Sequence, residues 1–524
     1  MGRPGFVLDV DERTPPLLIH EGEGFRLERL PLGSRVIYPP ESLPGIVDIE
    51  RAIHHALLHP HGSDPLPQLL HRGMRLTIVF DDLSLPLPPM RTPDVRQRVI
   101  EQVLEMAATA GVDDVELIAA NSLHRRMTPA ELKRTVGERV FRAFHPGHLR
   151  NHDAEDPDGL VHLGTTPHGE DVEINRRAAE SDLIVYVNIT LTAMSGGSKS
   201  VAVGLASYAS LRHHHNVYTL RHSRSFNDPA NSAMHHSYDR MADVIGGHVP
   251  VFTIETTLNN DPFPAALRFL TRREWEWNLT DQASYLAIKR SNDLATAKLR
   301  RQIWQATEAP YRVTGVHAGA PSQVHPHTLA AVHRQQLTEV HGQADVAIFG
   351  LPYICPYNVN SIMNPILVMS LGLGYFFNLY RSKPIVRQGG VAIFYHPMSH
   401  EFHPVHHPSY IDFYELLAET TDPVMLETKY EKQFATDPWY THLYRTSYAY
   451  HGVHPFYMWY WGAHAMQHLD DVIFVGGDRS TTARLGFRAA SSLADALELA
   501  RDAVGSDPQI SYLHAPPLVL ADVR

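Results

Sequence analysis

Three short runs of apolar and β-branched residues constrain the fold of this chain more than any other feature: Arg75 to Phe80 (RLTIVF), Val115 to Ala119 (VELIA) and Leu183 to Val187 (LIVYV). Each is broken by a loop and reads as a buried strand. After the first, Thr92 and Pro93 have the form of an N-cap and first helical position, Val95, Val99, Val103 and Met106 supply an apolar face, and Gly111 closes the helix. After the second, Thr128-Pro129-Ala130-Glu131 has the form of a capping box. The third runs into a small-residue turn, Ser195-Gly196-Gly197-Ser198-Lys199, and a further helix. Strand and helix in alternation predict a parallel α/β sheet, in which ligands bind beyond the carboxyl ends of the strands. Asp82, His124 and the Ser195 to Lys199 turn all follow strand ends, so three loops are expected to converge on one edge.

A chain of 524 residues is too long for one ordinary domain. The expected organisation is two α/β domains, each with a largely parallel sheet flanked by helices, and a site in the cleft between them. Residues 1 to 270 form the N-terminal, cofactor-binding unit in this reading, residues 271 to 310 a helical connection, and residues 311 to 524 the C-terminal unit. Its strands are expected at Val346 to Phe349, Val391 to Tyr395, Val472 to Val475 and Ile510 to Leu513, with a helix at Leu493 to Val504. An aromatic, histidine-rich insertion occupies about residues 396 to 468.

The formal net charge is -11 and basic residues form no run or stripe, which argues against nucleic acid as a partner. The single cysteine, Cys355, allows no internal disulfide and fits a reducing, cytoplasmic compartment. No apolar run reaches membrane-spanning length, and the first residues, MGRPGFVLDV, carry no signal pattern. The expected partners are therefore a small-molecule substrate and neither nucleic acid nor membrane.

The turn with Lys199 places backbone N–H groups where an anion can approach and adds an amine nucleophile. A plainer reading makes Lys199 a lysine on a glycine turn beside a surface histidine run, His213 to His215. His124 likewise reads as a polar residue flanking a helix, and Asp82 as a loop aspartate.

In order along the chain, FDD-LSLPLP, NSLHRRMTPAEL, NHD (Asn151 to Asp153), LGTTPHGEDVEIN and SGGSKSVAVGLASY resemble the nickel-dependent lactate racemase family. The resemblance implies a nickel-pincer nucleotide, a pyridinium mononucleotide whose thioamide and thiocarboxylate arms hold nickel, and enzymes that make this cofactor as further partners. By the same resemblance Lys199 carries the covalent thioamide link, Ser195, Gly196, Gly197 and Asp82 lie against the cofactor, and His124 is the catalytic base on the substrate hydroxyl. The family's nickel-binding histidine lies sixteen residues beyond its lysine, which falls on His215. Imidazole and sulfur ligands suit nickel.

The chain departs from the family at specific places. Leu85 stands where the family keeps an arginine, Ile189 where it keeps a second catalytic histidine, and Ser361 and Asn364 where it keeps a glutamine and a lysine. The cofactor-holding residues remain while anion-binding residues and one base are lost. The reading that follows is a racemase or epimerase that transfers hydride at a hydroxyl-bearing carbon of an α-hydroxy acid or a sugar-like substrate, not lactate. Tyr186, His152 and His168 are candidates for the missing base. The alternative is a catalytically altered nucleotide-binding homologue. A third reading, a metallohydrolase using the HHH and HPVHHP (His403 to Pro408) clusters, lacks an HExxH motif.

Overall fold

A computed structural model describes residues 3–84 and 88–524. Leu85 lies outside the described residues. The three apolar runs form the strands Arg75–Asp81, Asp114–Ala120 and Leu183–Thr190, with Arg75–Asp81 paired in parallel to both others. Leu149–Asn151 and Val251–Leu258 extend this sheet in parallel, and Val313–Gly319 closes it antiparallel, giving six strands. Leu183–Thr190 is buried along its whole length, which explains why it reads as a continuous apolar run rather than as an alternation.

A seven-stranded sheet carries, in order, Phe6–Asp9, Arg35–Tyr38, Ile510–Leu513, Ala344–Gly350, Val386–Tyr395, Asp471–Val475 and Arg488–Ala490. All pairs are parallel except the first. The four strands expected in the second half are all present. So is the helix Leu493–Val504, capped by the Ser492 side chain on Asp495 N and ended at Gly505. The chain is thus an α/β protein of mostly parallel sheets flanked by helices.

The sheets do not divide at residues 270 and 311. Val313–Gly319 belongs to the first sheet and the strands near the N-terminus to the second. An open strand edge exposes unpaired N–H and C=O groups, and each half of the chain covers such an edge on the other. Residues 271–308 hold the expected helices, Leu279–Leu294 and Ala297–Gln305. The first crossover helix is Val95–Ala110, beginning later than Thr92 and Pro93 suggest. Asp94 caps it, because its carboxylate takes both the Arg96 backbone N–H at 2.9 Å and the Arg96 guanidinium. Helix Pro129–Val136 has the full capping box of Thr128 and Glu131.

One apolar core runs from Ile78, Val185 and Ile254 of the first sheet to Phe349, Phe394 and Phe474 of the second. The opposite face of the seven-stranded sheet packs Ile393, Ile473 and Tyr512 under Leu493, Ala496 and Ala500. The insertion is a helical crossover between Val386–Tyr395 and Asp471–Val475, and its aromatic residues join the main core. No helix among the described residues is long and apolar enough to cross a membrane.

Candidate functional site

Three parallel strands deliver the site. The strand Arg75–Asp81 ends at a pair of aspartates, Asp114–Ala120 leads to His124, and Leu183–Thr190 leads to the lysine turn. Asp82, His124, Ser195, Gly196, Lys199 and His215 line one cavity. The convergence expected from strand ends is therefore present for the loops themselves. Across from them Pro356, Tyr357, Tyr375 and Trp461 complete the wall.

Asp82 Oδ2 lies 2.7 Å from His124 Nδ1. The other Asp82 oxygen accepts from the Ser84 backbone N–H at 2.9 Å and from the Ser84 hydroxyl. Burial pushes the Asp82 carboxyl up, but the His124 charge and these hydrogen bonds outweigh it and hold it below its ordinary value. The loop is fastened from below: Arg96, itself paired with Asp94, donates to the carbonyls of Asp81 and Asp82 at 2.6 Å each. His124 is part-exposed to the cavity, edge-on to Tyr357 and His454.

Lys199 makes no hydrogen bond or ion pair with a described residue, and burial lowers its pKa from the usual lysine value. An amine shifted in this direction is more often unprotonated and nucleophilic. The turn before it differs from the expected anion cradle. Gly196 and Gly197 have φ of +90° and +62°, and they wrap the buried carboxylate of Glu255, which accepts the Gly197 N–H at 2.6 Å. Thr328 and His325 (3.1 Å) also bind Glu255. The anion in this cradle is a protein side chain. Gly197 is thus behind the cavity wall, whereas Ser195 and Gly196 lie on it.

The histidine run separates in space. His213 faces Asp171 near the surface at 3.5 Å, while His214 and His215 are buried with their Nδ1 atoms 2.6 Å apart. With Nδ1 engaged, the second ring nitrogen of His215 remains for the cavity. Burial and the neighbouring Lys199 and His124 charges hold His215 down at about 3, so the ring is neutral at pH 7.

Of the three candidate replacement bases, only Tyr186 lines the cavity. His152 is buried against Ala206 O and Asn175, and His168 sits exposed in a loop. The Tyr186 hydroxyl donates to Asp81 at 3.2 Å, and the same carboxylate takes Asn188 Nδ2 at 2.7 Å and the Ile189 N–H at 2.9 Å. Burial raises the Asp81 carboxyl to about 6 despite these bonds. Asp81 is a site residue that sequence reasoning passed over; the doubled aspartate of FDD is its only local signal. Tyr375 and Trp461 had no local signal at all, because they reach the cavity only through the packing of the second half.

Ser361 and Asn364 are engaged elsewhere. Ser361 Oγ meets His406 Nδ1 at 2.8 Å and Asn364 Nδ2 meets His407 Nδ1 at 3.2 Å, both away from the cavity lining. This explains the HPVHHP run as a structural brace. Among the described residues, neither that run nor HHH brings together three metal-ligating groups, which removes the support for a metallohydrolase built on them.

Residues 25–228, which contain Asp82, His124, Lys199 and His215, match the family model for the lactate racemase N-terminal domain. The lactate racemase of Lactiplantibacillus plantarum is 28% identical over 170 residues, 32% of this chain and 38% of that protein. That of Thermoanaerobacterium thermosaccharolyticum is 27% identical over 162 residues, 30% of this chain and 36% of that protein. The matched stretch thus spans little more than a third of these relatives' length. The apoprotein structure of the lactate racemase from Thermoanaerobacterium thermosaccharolyticum superposes over 97% of this chain and 100% of its own, with a TM-score of 0.62 and 18% identity. A Thermotoga maritima protein superposes over 91% and 98% respectively, with a TM-score of 0.51 and 14% identity. At these identities the superpositions establish a common fold.

Proposed function

From the premise that this chain belongs, as a divergent member, to the lactate racemase family, we propose that it is a racemase or epimerase. It acts at a hydroxyl-bearing carbon of an α-hydroxy acid or sugar-like substrate other than lactate, with a nickel-pincer nucleotide. The carrying observation is that a buried lysine, a neutral histidine and a histidine–aspartate pair line one cavity.

The donor set fits the cofactor. The Lys199 amine has no partner among the described residues and can be acylated, and His215 offers an uncharged ring nitrogen of the kind nickel takes. When bound, the group supplies an acceptor for hydride. His124 manages the proton: the Asp82 carboxylate at Nδ1 holds the N–H there and leaves Nε2 to accept from a substrate hydroxyl. Tyr186 and Asp81 form a second proton-carrying pair on the wall, beside the position where Ile189 replaces a family histidine. Tyr357, Tyr375 and Trp461 present aromatic surface that keeps bulk water from the reacting carbon. No arginine is found among the described residues lining the cavity, so a small carboxylate such as lactate lacks the forked donor that would bind it there. That supports a substrate held by hydroxyl groups.

The test is co-expression with cofactor-making enzymes, intact mass measurement, and a screen of hydroxy acids and sugars for inversion in deuterated water. A mass adduct absent in Lys199→Ala, with inversion of a non-lactate substrate lost in His124→Ala, is expected. An unmodified mass, or an adduct that survives Lys199→Ala, overturns the reading. Ile189 favours one second reading, a cofactor-binding homologue without turnover, which turnover of any hydroxylated substrate by the loaded protein, abolished in His124→Ala, would exclude.

A further inference from the structure

Away from the cavity, three histidines from separate elements meet. His61 lies in the loop after the helix Ile49–Leu58, His317 on the strand Val313–Gly319, and His327 on the helix Pro321–Gln336. One ring nitrogen from each falls within 4.8 Å of the other two, and among the described residues this is the group of three so placed. None of them lines the cavity.

The backbone holds this arrangement. The His61 N–H donates to Ala318 O at 2.8 Å and its carbonyl accepts from Ala320 N at 2.9 Å. The loop approaches so closely that a Cβ on Gly319, whose φ is +131°, would sit 2.1 Å from the His61 carbonyl oxygen. Glycine is therefore needed at that position for His61 to reach the strand. His61 Nε2 and His317 Nδ1 are 3.4 Å apart. That is long for a hydrogen bond, but two nitrogens each about 2.0–2.1 Å from a tetrahedral ion stand roughly 3.4 Å apart.

We propose that His61, His317 and His327 form a binding site for a divalent transition-metal ion of zinc type, with the fourth position open to solvent beside the exposed His327. Three imidazoles suit zinc, nickel or copper rather than calcium or magnesium, which take oxygen ligands. The site bears on the cavity through one step. His317 is the cross-strand partner of Glu255, and Glu255 holds the Gly197 N–H in the turn that presents Lys199. The ion therefore pins the loop, strand and helix that support that turn.

The test uses full-length, chelator-stripped protein without the nucleotide, titrated with Zn²⁺ and read by metal analysis after gel filtration and by calorimetry. His215→Ala serves as the background so that the cavity histidine does not contribute. One ion per chain is expected in that background, together with a metal-dependent rise in Tm. Adding His327→Gln, an exposed position whose unmetallated Tm should be unchanged, is expected to weaken binding by more than the roughly 10–100-fold typical of outer-shell changes. His317→Ala should do the same. Binding unaffected by both substitutions, or no binding at micromolar Zn²⁺ in the His215→Ala background, would overturn the proposal.

Discussion

The carboxylate of Asp82 contacts His124 at Nδ1, 2.7 Å away, and not at Nε2. This choice of nitrogen sets the tautomer and directs the basic nitrogen at the cavity. Asp82→Asn is expected to lower turnover by about 10²–10⁴-fold, the range associated with positioned general bases, while the adduct proposed for Lys199 still forms. Steady-state rates together with intact mass check both halves.

Tyr186 is the candidate base that the fold places on the cavity, and Asp81 holds its hydroxyl. Tyr186→Phe removes that hydroxyl and little volume. The expected result is a turnover loss of about tenfold or more with the adduct retained. Unchanged turnover would assign Tyr186 a purely structural role.

Gly197 adopts φ +62°, and a Cβ there would lie 2.8 Å from the His325 ring. Gly197→Ala is expected to cost about 1–3 kcal/mol from backbone strain and crowding, and to reduce adduct formation because the lysine turn moves off Glu255. Denaturant titration and mass measurement report the two effects separately.

Lys199 is buried and has no hydrogen-bond or ion-pair partner among the described residues. Lys199→Met keeps the side-chain length and removes a poorly solvated charge, so the unloaded variant should be more stable by about 1 kcal/mol, seen as a higher Tm.

Glu431 is buried between the hydroxyls of Tyr208 (3.0 Å) and Tyr460 (3.1 Å), and burial, with Glu427 nearby, raises its carboxyl from 4.5 to about 7. The fold prefers its protonated form. The resulting stabilisation is complete below pH 4.5 and is lost as pH rises through 7. Glu431→Gln should leave stability at pH 5 nearly unchanged and raise it at pH 8 by up to about 3 kcal/mol. Parallel melts at the two pH values measure the difference.

The sequence by itself determined the strands and the residues at their ends. The run Leu183 to Val187 is apolar on both faces because both faces are covered, and Thr128 with Glu131 marks a helix start through bonds made within four residues. That Asp82, His124 and the Ser195 to Lys199 turn follow strand ends was legible in the same local order, whereas His215 was singled out only through the family resemblance. Only the tertiary structure decided that Val313–Gly319 joins the first sheet, that Glu255 fills the glycine turn, and that Tyr375 and Trp461 wall the cavity. It also decided that His61 meets His317 and His327. Those contacts join residues tens to hundreds of positions apart, and they are fixed by which edges and faces must be covered when the sheets pack, a requirement that no local pattern encodes.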